Sequence, residues 1–229
     1  MRALPSDYDS NPERWRINEE ALAAYGLAGD VHPRIAQRFA EAGAGTVLDV
    51  GCADGRLRLC LPAGMRWVGL DFSPTQLRRG AGERLQGEAT RLPFRDASFD
   101  GVAALYMLYH VDDPATALRE AARVLRPGGL FAAAAPSRFD APEMAPLLPP
   151  EPPLSFDAEN GPERLCAVFA EVEVERWDGP FTRLPDAEAV SRYLIGHLVA
   201  PALAAEVAAR VETPLTLTKR GAMLFARTA

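Results

Sequence analysis

Residues Thr46 to Leu57 read TVLDVGCADGRL. An apolar run ends in a carboxylate, Asp49, and opens at once into a loop bounded by Gly51 and Gly55. A strand that gives way to a glycine-bounded turn and a helix is the first βα unit of a doubly wound sheet, and such sheets take ligands at the carboxyl ends of their strands. Gly51 permits the tight exit, and Gly55 lets the following helix approach. Glycine-rich loops in this place usually cradle phosphate, but Asp49 would repel a pyrophosphate. Position 53, where a dinucleotide fold wants its second glycine, is Ala53. The loop calls for a ligand with a positive group.

Short apolar runs alternate with helical stretches on either side of this loop. RWVGLDF (Arg66–Phe72), GVAALYML (Gly101–Leu108) and GLFAAAA (Gly129–Ala135) are continuous apolar runs, as strands buried on both faces require. The first intervening helix is expected over SPTQLRRGAGERL, with Ser73 as N-cap and Pro74 at the first helical position. The second, DDPATALREAARVL, opens at Asp112 or Asp113 before Pro114 and stops at RPGG, where Pro127 blocks continuation and Gly128 can turn left-handed. Alternating strands and helices mean an α/β protein with a parallel, doubly wound sheet. Pro12–Ala42 reads as helices covering one edge. Ser137–Gly161 is rich in proline and without period, an irregular connection of the kind that forms lids or substrate-facing loops. VEVERW as a strand, DAEAVSRYLIGHLV as a helix and LTLTKRGAMLFART as a final strand complete the chain.

Composition limits the function. The 229 residues suit one domain, 24% are charged, and the net charge is −6 without a basic cluster. Nucleic-acid binding needs clustered Lys and Arg on phosphate, so it is disfavoured. Lys219 is the one lysine, and the richness in Arg and Ala points to a GC-rich bacterial coding sequence. No run is long enough to span a membrane and the start carries no signal-peptide core. Cys52, Cys60 and Cys166 have neither disulfide nor zinc spacing, so no metal site is expected and a cytoplasmic setting fits.

About 20 residues beyond the loop, VGLDFS places Asp71 at the tip of the next strand, where a carboxylate accepts hydrogen bonds from ribose hydroxyls. The competing role for Asp71 is to cap the helix at Ser73–Pro74. A ribose, no pyrophosphate and a cation near Asp49 together describe S-adenosylmethionine, whose ammonium and sulfonium are drawn to a nearby carboxylate.

From Thr46 to Ser137 the chain resembles the class I S-adenosylmethionine-dependent methyltransferases, in the group that acts on small molecules. The stretches that carry the resemblance are VLDVGCADGRL, VGLDFSPTQL, GEATRLPFRDASFDGVAALYMLYHVDDP and EAARVLRPGGLFAAAAPS, with TKRGAMLFART similar to the last strand of that fold. The resemblance implies a Rossmann-like, mostly parallel seven-stranded sheet with an antiparallel last strand. Within a single domain it implies a helical cap over residues 1–44, a cofactor core over 45–137, a lid over 138–162 and the rest of the sheet over 163–229. Asp49 and the loop Gly51, Cys52, Ala53 and Gly55 would hold the methionine end of the cofactor. Asp71 would take the ribose and Phe72 would lie against the adenine. Glu88, where the family commonly has Asp, would face the adenine amino group, with Ala89 offering its backbone N–H. Leu105 and Tyr106 would flank the ammonium and the methyl. N-terminal segments of the family often fold over the cofactor, which brings Tyr8 and ERWR into consideration.

Methyl transfer chiefly needs alignment, which alone can be worth ~7–11 kcal/mol, and a base only where the acceptor must lose a proton. His110, in YMLYHVDD, is the candidate base; its other reading is to close the turn before the helix. Tyr106 and Tyr109 line the acceptor site or simply pack. His197 shares a helical face with Val190, Tyr193 and Leu194 and is expected to be packed, and His32 is expected to cap its helix locally. Met65, Met107, Met144 and Met223 read as packing filler. The expected reaction is methylation of an oxygen or nitrogen of a small molecule in bacterial secondary metabolism. RNA methylation, or a non-catalytic protein that only binds the cofactor, are the alternatives. Neither the acceptor nor an oligomeric state is specified by the sequence.

Overall fold

The alternation of the sequence is realised in the computed structural model, which describes residues 9, 11–26, 30–150 and 152–229. Helices α1 (Pro12–Tyr25) and α2 (His32–Glu41) precede β1 (Thr46–Val50), α3 (Arg56–Cys60) and β2 (Arg66–Asp71). Next come α4 (Pro74–Leu77), β3 (Arg84–Gln86) and β4 (Phe99–Leu105). One 3-10 turn (Leu108–His110) leads to α5 (Pro114–Val124) and β5 (Leu125–Pro136). The chain continues through α6 (Gly161–Cys166), β6 (Glu171–Leu184), α7 (Ala187–Gly196), α8 (Pro201–Arg210) and β7 (Leu215–Arg227).

The strands form one seven-stranded sheet in the order β3-β2-β1-β4-β5-β7-β6. Strands β1 to β5 pair in parallel, while β7 runs antiparallel to β5 from Leu130↔Arg227 to Pro136↔Gly221. The expected α/β class, Rossmann-like topology and antiparallel last strand are all present. The order reverses between β1 and β4, and that switch point is where doubly wound sheets open a crevice for ligands.

Tertiary contacts group the chain into two compact units. The larger comprises Asp30–Arg138, Leu154–Arg176 and Gly221–Ala229. Its strands alternate their side chains between two apolar layers. Leu48, Val68, Val102 and Phe131 pack with Leu118 and Val124 of α5 on one face. Val47, Ala103 and Ala132 pack with Ile35 and Phe39 of α2 on the other. Each Val, Leu, Ile or Phe among them stabilises by ~1.5–3 kcal/mol when fully buried, so two filled faces hold the strand ends in place. Of the described residues, the smaller unit comprises 9, 11–26, 139–150, 152–153 and 177–220. Leu184, Val190, Leu194, Val207 and Leu217 form its core together with Met144.

Several local expectations change. The helix expected from Ser73 to Leu85 ends at Leu77, because glycine costs a helix ~1 kcal/mol and both Gly80 and Gly82 follow closely. Gly82 turns left-handed at φ +107°, and Gly80 lies so close to the Asp54 carbonyl that a Cβ there would stand 2.0 Å from it. The freed chain pairs Arg84–Gln86 with Gly69–Asp71 as β3, so the strand before the proline-rich stretch is the fifth parallel strand and not the fourth. Helix α5 is capped by Asp113, whose carboxylate accepts from Thr116 N at 3.1 Å, and it stops at Val124, before RPGG. Pro127 disfavours helix in the residue before it, and Gly128 takes the left-handed turn as expected, at φ +72°. His32 is not a cap: the Asp30 carboxylate accepts from His32 N at 3.1 Å and pairs with its ring. His197 is exposed at the end of α7, stacked on the Tyr193 ring at 4.1 Å, where helix termination leaves it outside the packed face.

The proline-rich stretch is divided between the units. In the smaller, Met144 is buried and Glu143 accepts from Thr218 N and, at 2.6 Å, from Thr218 Oγ1. In the larger, Ala158 N donates to Pro136 O at 3.0 Å, and the buried Asp157 carboxylate pairs with Arg138 at 2.9 Å. Among the described residues no helix is long and apolar enough to cross a membrane.

Candidate functional site

The sheet brings the predicted residues to one edge of the larger unit. Asp49 stands opposite Gly69 of β2 and Ala103 of β4, one residue short of the carboxyl end of β1. Gly51 N and Cys52 N both donate to Leu70 O, at 2.7 and 3.1 Å, which draws the loop back over the end of β2. Gly51 has φ +73°, and a Cβ there would lie 2.7 Å from the Cβ of Met107. Both facts demand glycine. Gly55 is left-handed at φ +89° and opens α3.

Ala53 also has positive φ, at +45°. A non-glycine residue in this region is strained by roughly 1–2 kcal/mol. Ala53→Gly is therefore expected to leave the urea midpoint at or above the wild-type value, although Ala→Gly ordinarily costs ~0.5–1 kcal/mol. A midpoint lowered by that ordinary amount would show that Ala53 is unstrained.

Asp71 ends β2 and joins two segments. Its Oδ2 accepts from Ala53 N at 2.8 Å, and its Oδ1 accepts from Ser73 N at 2.9 Å. The capping role weighed for Asp71 is thus divided: Ser73 Oγ is the N-cap of α4, accepting from Gln76 N at 3.1 Å, and Asp71 clamps the loop to that cap. A carboxylate has about four acceptor positions, so clamping and hydroxyl binding are compatible.

Asp49 is 3% exposed, and among the described residues the bond it accepts is from the indole Nε1–H of Trp67, at 3.1 Å. Burial pushes its pKa up to about 6, and the Trp67 bond and His32 pull the other way. Cys52 is buried beside it, and burial with the nearby Asp49 and Asp71 holds its thiol protonated. A buried carboxylate with one hydrogen bond is costly when ionised, and a cation would relieve that cost.

The remaining candidates sit around this centre. Phe72 is exposed just beyond β2, and its carbonyl accepts from Gln86 Nε2 at 3.1 Å. Glu88 is exposed after β3 and its backbone carbonyl accepts from Arg91 N at 3.1 Å, while Ala89 is half-buried against the core. Leu105 is buried at the end of β4, in register with Ala134. Tyr106 follows it in the left-handed region, φ +56°, with an exposed side chain and its N–H donating to Ala134 O at 2.9 Å. For a bulky residue this is an outlier, of the kind that collects at functional sites. His110 closes the 3-10 turn, its N–H donating to Met107 O at 2.9 Å and its ring tilted against Tyr109 at 4.3 Å. Trp67 and Met107 were not legible as site residues. Only the presence of one large aromatic in an aliphatic strand could have singled out Trp67. Tyr8 lies outside the described residues.

Residues 48–133, which hold Asp49, the loop, Asp71, Tyr106 and His110, match the family described as methyltransferase domain. This core is a class I methyltransferase domain. The chain is 35% identical over 115 residues to the O-methyltransferase resE of Aspergillus sclerotiorum, covering 44% of this chain and 43% of that protein. It is 38% identical over 134 residues to the demethylmenaquinone methyltransferase of Mycolicibacterium paratuberculosis, covering 56% and 57%. The chain therefore spans about half the length of the curated relatives it matches. The YcgJ protein of Bacillus subtilis shares the fold of the methyltransferase domain and its surroundings, with a TM-score of 0.65 at 18% identity over 86% of this chain and 98% of that one.

Proposed function

We propose that the methyltransferase domain binds S-adenosylmethionine and methylates an oxygen or nitrogen of a small molecule in the bacterial cytoplasm. The observation that carries this reading is Asp49: a buried carboxylate that accepts, among the described residues, one hydrogen bond, from Trp67, at the switch point of the sheet. It suits the cofactor's ammonium. Asp71 would receive the ribose hydroxyls, Phe72 the adenine face and Glu88 with Ala89 the adenine edge. Bound there, the cofactor supplies a methyl group activated by a sulfonium.

The chain's own contribution is to hold and to exclude. Two bonds to Leu70 O and the Asp71 clamp fix the loop before any ligand arrives. The strained Tyr106 and the following turn present an exposed phenol and an imidazole beside the end of β4, where an acceptor would dock. His110 is the side chain whose chemistry suits it to take a proton from an acceptor hydroxyl or ammonium. The substrates in the relatives' names, a demethylmenaquinone among them, support a small-molecule acceptor.

Calorimetry provides the test. S-adenosylhomocysteine should bind and raise the melting temperature by mass action, and NAD should do neither. His110→Ala should keep that binding and lose methyl transfer. Binding of NAD without S-adenosylhomocysteine would overturn the reading.

A further inference from the structure

Trp67 stands in β2 two residues before Gly69, and it is 6% exposed. It lies in a slot made by glycines. A Cβ on Gly69 would stand 2.5 Å from the indole, one on Gly82 3.0 Å and one on Gly55 3.4 Å. Those three positions come from β2, the loop after α4 and the start of α3, so the ring is fixed from three sides. Its one polar atom, Nε1, donates to Asp49 Oδ2 at 3.1 Å.

We infer that Trp67 is a positioning residue of the cofactor site, its indole N–H holding the Asp49 carboxylate in the orientation and the charge state that receive the cofactor's ammonium. The inference rests on the cofactor reading above. A donor to a carboxylate favours its ionised form, and among the groups around Asp49 the donor is needed. His32, at the start of α2, favours the charge; Asp54 in the loop and Asp71 at the end of β2 oppose it, as does burial. Cys52 is protonated and adds no charge. An aliphatic residue at position 67 would fill the slot and leave the carboxylate without its bond. The glycines around the ring fit a role in which its angle matters, since an ordinary side chain at Gly69 would displace it.

Trp67→Phe removes the N–H and keeps an aromatic ring. Where that variant does not fold, benzothienylalanine at position 67 keeps both rings and loses only the N–H. Titration with S-adenosylhomocysteine between about pH 5 and 8.5 should show wild-type binding falling away as Asp49 protonates. Without the N–H, the carboxylate protonates more readily, so the midpoint should move up by about one pH unit, and affinity should fall about fivefold at the wild-type midpoint and about tenfold well below it. In an Asp49→Asn background the same change should have little further effect. Wild-type binding with an unshifted profile in the variant would overturn the role of Trp67. So would an affinity loss that is equal at every pH and persists in full in the Asp49→Asn background. Absence of wild-type binding would instead overturn the cofactor reading itself.

Discussion

Asp49→Asn should melt at a higher temperature than the wild type and bind S-adenosylhomocysteine about 100-fold more weakly, if at all. The two effects share one cause. Asp49 is buried, and its pKa is raised to about 6. A carboxyl whose folded pKa exceeds its unfolded value binds protons more readily in the folded state, so folding stability falls as pH rises from about 4 to 6. Above that window the ionised group costs the empty protein roughly 2–3 kcal/mol. The amide removes this cost and can still accept from Trp67, so a net gain of about 1–2 kcal/mol at pH 7 is expected. On the proposed reading, the same substitution leaves the cofactor's ammonium without its counter-charge. Thermal melts at about pH 4.5 and 7.5 test the account, since the gain should shrink at the lower pH. A variant no more stable at pH 7.5 than the wild type would mean that Asp49 is not held ionised at a cost.

Asp71→Ala should lose both stability and cofactor binding. Removing the carboxylate strands two backbone donors, Ala53 N and Ser73 N, which now meet it at 2.8 and 2.9 Å. An unsatisfied buried donor costs ~1–3 kcal/mol. Asp71 is half-buried, so water can partly replace it, and a total of about 2 kcal/mol is expected. Ala53, already at positive φ, loses the bond that helps to hold it there. Binding should weaken by at least about tenfold, through the ribose contact and through the loosened loop together. Asp71→Asn keeps an acceptor for one donor and should fall between the two. Urea unfolding and calorimetry on the three proteins would show this order. A fully stable alanine variant would mean that the clamp is not what orders the loop.

The sheet was legible because strands buried on both faces must be almost continuously apolar, and GVAALYML and GLFAAAA are, as is TVLDV but for Thr46 and Asp49. Asp49 and Asp71 were legible because a carboxylate at a strand tip is chemically conspicuous. The clamp was not, since a bond from Asp71 to Ala53 depends on the turn of the loop and leaves no spacing rule in the sequence. Trp67 was hidden by its setting, because an aromatic in an apolar run reads as core until its one polar atom is placed. Strand β3 was missed because its three residues carry no period, and Gly80 matters through a close approach to Asp54 that only the fold creates. The proline-rich stretch reads as one segment from its composition, yet its two halves pack in different units.

That division has a consequence for anyone who would cut or graft this protein. The smaller unit is assembled from three separated stretches, and the larger from three that alternate with them along the chain. No single scission releases either unit as a continuous fragment. Trimming from one end removes pieces of both. Exchanging the smaller unit with that of a relative would take three coordinated transplants. Folding of the smaller unit is likewise non-local, since contacts that tie α1 to α7, such as Arg14 to the Gly196 carbonyl, must close long loops before they return any stabilisation.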